Sequence, residues 1–171
     1  MQAWSQFYAT IAAASAALLG LLYVAVSINA AAAVGPDQRV SYRLTEQAFQ
    51  NYLAVLMIAL LALFADISAV VFGWVALAAT ASWSAWVVIR FVQAMLERGE
   101  RRAWVIALRR HFTSVIGFGM MLFAALWMAL GRGPEYNWLA AATLVLLFSA
   151  TTVSWELLTR IAKRQPADPP T

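Results

Sequence analysis

The chain has 171 residues, of which 63% are hydrophobic and 12% are Asp, Glu, Lys or Arg. Soluble domains usually hold about 25% charged residues, so half that share excludes an ordinary water-soluble globule. Twelve basic against eight acidic residues leave a formal net charge of +4, and the absence of cysteine excludes disulfides and thiolate chemistry within the chain.

Charge is confined to short intervals. Met1–Pro36, Gln47–Ala65, Ile67–Ile89, Phe112–Gly131 and Tyr136–Trp155 contain none. A helix needs about 20 apolar residues to cross about 30 Å of hydrocarbon. These intervals therefore predict an all-α integral membrane protein with five transmembrane helices, over approximately 7–33, 46–65, 68–92, 112–131 and 136–158. Residues 1–164 form one transmembrane domain, with no room for a soluble one.

Span one opens with "FYATIAAASAALLGLLYVAVSINAAAAVG". It lacks a basic leader, and its apolar part is far longer than the 7–15 residues usual in a signal peptide, so a retained first span is expected. Eight of the nine residues Ala9–Ala17 are small. Small residues let helix backbones approach closely in lipid. Two overlapping registers, Ala9, Ala13, Ala17 and Ala12, Ala16, Gly20, predict a packing seam, either within the bundle or between copies in a homo-oligomer. The segment "FYATIAAASAALLGLLYVAVSIN" resembles the N-terminal signature of small uncharacterised bacterial multi-pass membrane proteins, some described as modulators of a membrane AAA protease. The likeness covers about the first 30 residues. It implies a bacterial inner-membrane protein and transfers no functional residue.

Spans two and three are separated by a turn at Ala65-Asp66-Ile67-Ser68. A single helix over 47–89 would measure about 65 Å at 1.5 Å per residue, twice the bilayer core, so the turn is required although it holds neither Gly nor Pro. Between spans three and four, "QAMLERGERRAWVIALRRH" is interrupted at Gly99. Beyond Gly99, Trp104, Ala107 and Leu108 share one side, and Arg98, Arg101, Arg102 and Arg109 cluster on another. The expectation is a short interfacial amphipathic helix. Span four carries a weaker small-residue series in Gly117, Gly119, Ala125 and Ala129. The tail 165–171, with three prolines in seven residues, is expected to be disordered.

Short cytoplasmic loops are enriched in Lys and Arg. With the N-terminus outside and the C-terminus inside, eleven of the twelve basic residues fall inside and only Arg132 outside. Trp4, Tyr136 and Trp138 then mark the outer boundary, and Trp104 and Trp155 the inner one. Polar side chains gather near the inner ends of all five spans: Ser27 and Asn29, Gln47, Gln50 and Asn51, Arg90 and Gln93, His111, Thr113 and Ser114, Ser154 and Glu156. One reading is a set of interface residues that fix helix rotation. The sharper one is a polar cytoplasmic rim, with Arg90 paired to Glu156 or Glu46. Arg98, Arg101, Arg102, Arg109 and Arg110 are candidates for contact with anionic lipid or a protein partner.

No charged residue falls in the middle of a span, which disfavours proton- and voltage-coupled machines. One histidine and no cysteine disfavour His/Cys metal clusters and Cys–His dyads. Neither HExxH, Walker A nor GxGxxG occurs. No catalytic, metal or cofactor residues are therefore assigned, and no nucleic acid is expected. The chain reads as a non-enzymatic inner-membrane protein that self-associates and forms a passive channel for ions or small solutes. The alternative is a regulatory or scaffold protein that binds a membrane-protein partner through its spans or its basic loop.

Overall fold

Hydrocarbon offers no water to hydrogen-bond a peptide group, so each apolar interval must close its backbone bonds within a helix. The computed structural model describes residues 2–28, 38–64, 68–96, 101–133 and 136–162. Its helices are, in chain order, α1 (Gln2–Ile28), α2 (Gln38–Ala62), α3 (Ala69–Leu96), α4 (Arg101–Ala129) and α5 (Tyr136–Ala162). Each contains a stretch long and apolar enough to cross a membrane, and the described residues include no strand. On α5 the exposed Trp138 and Trp155 lie about 26 Å apart at 1.5 Å per residue. That separation is close to the hydrocarbon thickness, whose two boundaries favour such rings.

The ends of the helices differ from expectation. α2 begins at Gln38 rather than near 46, and α4 at Arg101 rather than near 112. The separate interfacial helix is not formed: residues 101–111 run unbroken into span four as the first turns of α4. Its Arg, Ala and Leu residues are good helix formers, and no Gly or Pro intervenes. Gly99 and the tail 165–171 lie outside the described residues.

The turn between α2 and α3 is built without Gly or Pro at its described ends. The N–H groups of Leu63 and Phe64 donate to the carbonyls of Leu60 and Leu61 at 3.1 and 3.2 Å, tightening the last turn of α2. Ser68 then caps α3, its hydroxyl accepting the Val71 N–H at 3.3 Å and its carbonyl the Phe72 N–H at 2.9 Å. Asp66, the expected centre of this turn, lies outside the described residues. At the end of α4, Gly131 takes a left-handed φ of 69°. There the Arg132 N–H reaches the Trp127 carbonyl at 3.2 Å and the Gly131 N–H reaches that of Met128 at 3.0 Å, the paired bonds of a Schellman cap. The Arg132 guanidinium sits 5.1 Å from the centre of the Trp127 ring.

α2 packs against α1 and α5, and α4 packs against α3 and α5, while α3 meets α2 and α1 meets α5 only lightly. α2, α5, α4 and α3 thus close a four-helix ring with α2 diagonal to α4, and α1 lies outside against α2 and α5. Ile58, Phe72, Phe118, Met121, Met128, Leu139 and Leu146 fill one half of the interior. Leu22, Leu44, Ala48, Tyr52, Ala150, Val153 and Leu157 pack α1, α2 and α5 in the other.

α3 and α4 approach closely at Gly73. A Cβ placed on Gly73 would collide with the Ala129 backbone nitrogen and lie 2.7 Å from the Met128 carbonyl carbon. Those are backbone atoms, which cannot rotate away. Gly73→Ala is therefore expected to destabilise the protein by about 1–3 kcal/mol, despite the better helix propensity of Ala. Gly20→Ala, where nothing lies within 4 Å, should not. Thermal melting in detergent checks both, and an unshifted Gly73→Ala midpoint would dismiss this contact.

Candidate functional site

In α2, Leu44, Ala48, Asn51, Tyr52, Val55 and Ile58 are buried at the three-and-four spacing of one helix face. Ser114, Phe118, Met121, Ala125 and Met128 form the equivalent seam of α4, and Leu139, Ala142, Leu146, Ser149, Val153 and Leu157 that of α5. Each seam is apolar apart from one or two polar side chains. Asn51, Ser114 and Ser149 stand on their seams at the same depth, so the fold drives them together.

They form a buried polar node. Asn51 Nδ2 donates to Ser114 Oγ at 2.9 Å and, less closely, to Ser149 Oγ at 3.4 Å. Gln47, one turn earlier on α2, donates through Nε2 to the same Ser114 Oγ at 3.2 Å. Ser114 and Ser149 share a hydrogen bond of 2.9 Å, and Ser149 and Thr113 one of 3.0 Å. Five side chains from α2, α4 and α5 are thus linked through two serine oxygens. Close by, Tyr52 Oη and Thr151 Oγ1 are 3.3 Å apart, and Ser15 of α1 donates to the Tyr52 carbonyl at 2.7 Å. At the opposite end of α1, Tyr8 Oη donates to the Tyr136 carbonyl at 3.1 Å.

The expected polar rim is therefore drawn inward in part. Gln47 and Asn51 join the node, Gln50 is half-buried outside it, and Glu46 and Glu156 are half-buried and each engaged in an interaction. Arg90 and Gln93 lie in α3, and Arg101, Arg102, Arg109, Arg110 and His111 in α4. Asn29 and Arg98 lie outside the described residues. Of the six small residues expected to form a seam, only Ala12 is inside the protomer. Ala9, Ala13, Ala16, Ala17 and Gly20 are exposed on its surface. α1 is instead held by Tyr8, Ile11, Ala12, Ser15 and Leu22. In α4, Gly117, Ala125 and Ala129 are buried and Gly119 is exposed.

Sequence reasoning missed Ser149, Ser15 and Gly73. Ser149 is one of several hydroxyls along α5, and only its place beside Ser114 and Asn51 marks it out. The node's groups are neutral amides and hydroxyls, and the described residues hold no group of three or more His, Cys, Asp or Glu that could bind a metal ion. Such a set orients hydrogen bonds and polar molecules. Comparison with protein-family models, with curated proteins and with solved structures finds no match.

Ser114 is the acceptor for two amides, so Ser114→Ala leaves Gln47 and Asn51 N–H groups without it. A cost of about 1–3 kcal/mol is expected. Ser149→Ala should cost less, and Ser82→Ala on the exposed face of α3 still less. The order of melting midpoints in lipid nanodiscs tests this. A Ser114→Ala protein as stable as Ser82→Ala would show that the node contributes nothing.

Proposed function

We propose that the protein is a non-enzymatic bacterial inner-membrane protein, N-terminus outside, that self-associates through α1 and passes ions or small solutes passively between associated copies. The observation that carries the reading is the one-sided attachment of α1. Its buried stripe faces α2 and α5, while Ala9, Ala13, Ala16, Ala17 and Gly20 are exposed, away from the other described residues of the protomer. Small residues gain little from facing lipid tails but allow close contact with another helix. Ser15 supports the same reading, because its bond to the Tyr52 carbonyl fixes the rotation that turns this face outward. The placement of eleven of the twelve basic residues of the sequence in the segments read as inside is consistent with a cytoplasmic end touching anionic lipid.

The lack of native cysteine makes the test direct. Ala13→Cys and Ala17→Cys proteins should form disulfide-linked dimers on mild oxidation in native membranes. Val75→Cys, exposed on α3, should not. Ala13→Leu should abolish the Ala17→Cys crosslink. Reconstituted wild-type protein should release ions or small neutral solutes from liposomes, and the Ala13→Leu variant should not. Equal crosslinking at Val75→Cys, or wild-type liposomes as tight as empty ones, would defeat the self-association and conduction parts respectively.

A second reading has its own observation. α4 runs as one helix from Arg101 to Ala129, so about 16 Å of helix at 1.5 Å per residue precedes the span that begins at Phe112. A helical extension bearing Arg101, Arg102, Arg109 and Arg110 suits a regulatory or scaffold protein with an acidic partner. Co-purification of a stoichiometric partner, lost when Arg101 and Arg102 become Glu, would favour it over conduction.

A further inference from the structure

The protons of the buried node can be assigned. Asn51 Nδ2 donates to Ser114 Oγ and, at 3.4 Å, to Ser149 Oγ, and Gln47 Nε2 also donates to Ser114 Oγ. A serine oxygen accepts two hydrogen bonds and donates one. With both acceptor sites of Ser114 taken, its own proton must go to Ser149. Ser149 then has two donors, so its proton goes to Thr113. Thr113 has a further interaction of its own. The hydroxyl protons of both serines therefore run away from Asn51.

This leaves Asn51 Oδ1 as a buried acceptor with no partner among the described residues, on a residue that is 1% exposed. Rotating the amide by half a turn would set the two N–H donors in that unpartnered position, so the shortage persists in either orientation. A second unpartnered buried atom, Ser154 Oγ, lies on α5 beyond Ser149 toward the end where α2 and α4 begin. In that direction the polar side chains become more exposed, while the apolar Leu44, Val153 and Leu157 beside them stay buried. Asn51, Ser114 and Ser149 are buried, while Gln47, Thr113, Ser154 and Glu156 are half-buried. In the other direction the seam becomes apolar and closed at Val55, Ile58, Phe118, Met121 and Leu146. Polar surroundings with unmet acceptors are where internal water binds, whereas apolar interiors stay dry.

We infer that the node is the closed inner end of a water-filled inlet, entered from the end of the bundle where α2 and α4 begin. One water donates to Asn51 Oδ1 and another to Ser154 Oγ. The inlet belongs to a single protomer and does not depend on self-association.

Single cysteines in this cysteine-free chain test the inference, because a thiol reacts as its thiolate and a thiolate forms only where water reaches. The probe is sulfonatoethyl methanethiosulfonate, a small membrane-impermeant reagent, added to either face of sealed membrane vesicles. Gln47→Cys, Ser154→Cys and Ser114→Cys should be modified from one face, the one that also modifies Glu156→Cys. Ala142→Cys, buried in the apolar half, should be modified from neither. Asn51→Leu added to Ser114→Cys should slow its modification at least several-fold, by making the inner end apolar. Gel filtration in detergent confirms folding, and Ser149→Cys serves if Ser114→Cys misfolds. Node cysteines as inert as Ala142→Cys, or modified from the opposite face, would overturn the inlet. Absence of the α1 crosslinks would not bear on it.

Discussion

Asn51, Ser114 and Ser149 tie three helices together at one depth, and the register of the bundle depends on that tie. Lipid supplies no hydrophobic drive between helices, so association rests on packing and on a few interhelical hydrogen bonds. α2 presents Ala48, Ala54 and Ala59 to its neighbours, and α5 presents Ala140, Ala142 and Ala150. These alanines are not spaced at one helical turn, so a slip of one turn would set larger residues in their places. The same slip would break every bond of the node and leave amide hydrogens in an apolar setting, at about 1–3 kcal/mol for each unsatisfied group. The node therefore adds to packing in fixing the register of α2, α4 and α5.

The other two helices are attached by different means, and this explains their peripheral place. The spans of α1 and α3 are each 22% buried, against 44% for α2, α4 and α5. α3 adheres through shape, with Gly73 allowing its backbone onto that of Met128 and Ala129. α1 adheres through a stripe of Tyr8, Ile11, Ala12, Ser15 and Leu22, with hydroxyl bonds from Tyr8 and Ser15 to carbonyls of α5 and α2. Helical carbonyls keep a second acceptor site after their own backbone bond, so these contacts leave the host helices intact. They also fix α1 about its axis, and the outward direction of its small face follows from them.

Much of this was legible in the residues. Five charge-free intervals set five spans, since length and hydropathy are fixed by bilayer thickness. Gathering the polar groups at one end of the bundle was also legible for Gln47 and Asn51. Which of them turn inward was not, because that depends on helix rotation, which is set by residues on other helices. Ser149 illustrates the limit: alone it is one hydroxyl in an apolar stretch, and it gains meaning only beside Ser114 and Asn51. The small residues of α1 gave a seam without saying whether it lies within the bundle or between copies; within the protomer α1 is held by the stripe at Tyr8, Ile11, Ala12 and Ser15, and the other small residues face outward. The basic segment 101–111 shows a further limit, since amphipathic pattern alone does not distinguish a helix lying on a membrane from the continuation of one crossing it.

The protomer also constrains where a solute could cross under the proposed reading. The half of the ring beyond the node is filled by Ile58, Met121, Met128, Leu139 and Leu146, each at most 1% exposed. A solute passing through the centre of one protomer would have to displace these side chains, at a cost comparable to core disruption. An inlet that reaches Asn51 therefore ends there, and a continuous path belongs between copies, along α1. That surface is chemically plain. The hydroxyls of Thr10 and Ser27, both exposed on α1, donate to the carbonyls of Gln6 and Tyr23 in their own helix at 2.9 and 2.8 Å, so their protons are not offered outward. A seam of Ala, Gly and such self-bonded hydroxyls holds water poorly, and an apolar constriction conducts only when it is wide enough to wet. Contact between α1 helices thus brings the copies together, and passage under this reading belongs to the space that the associated copies enclose, where it is wide enough to wet.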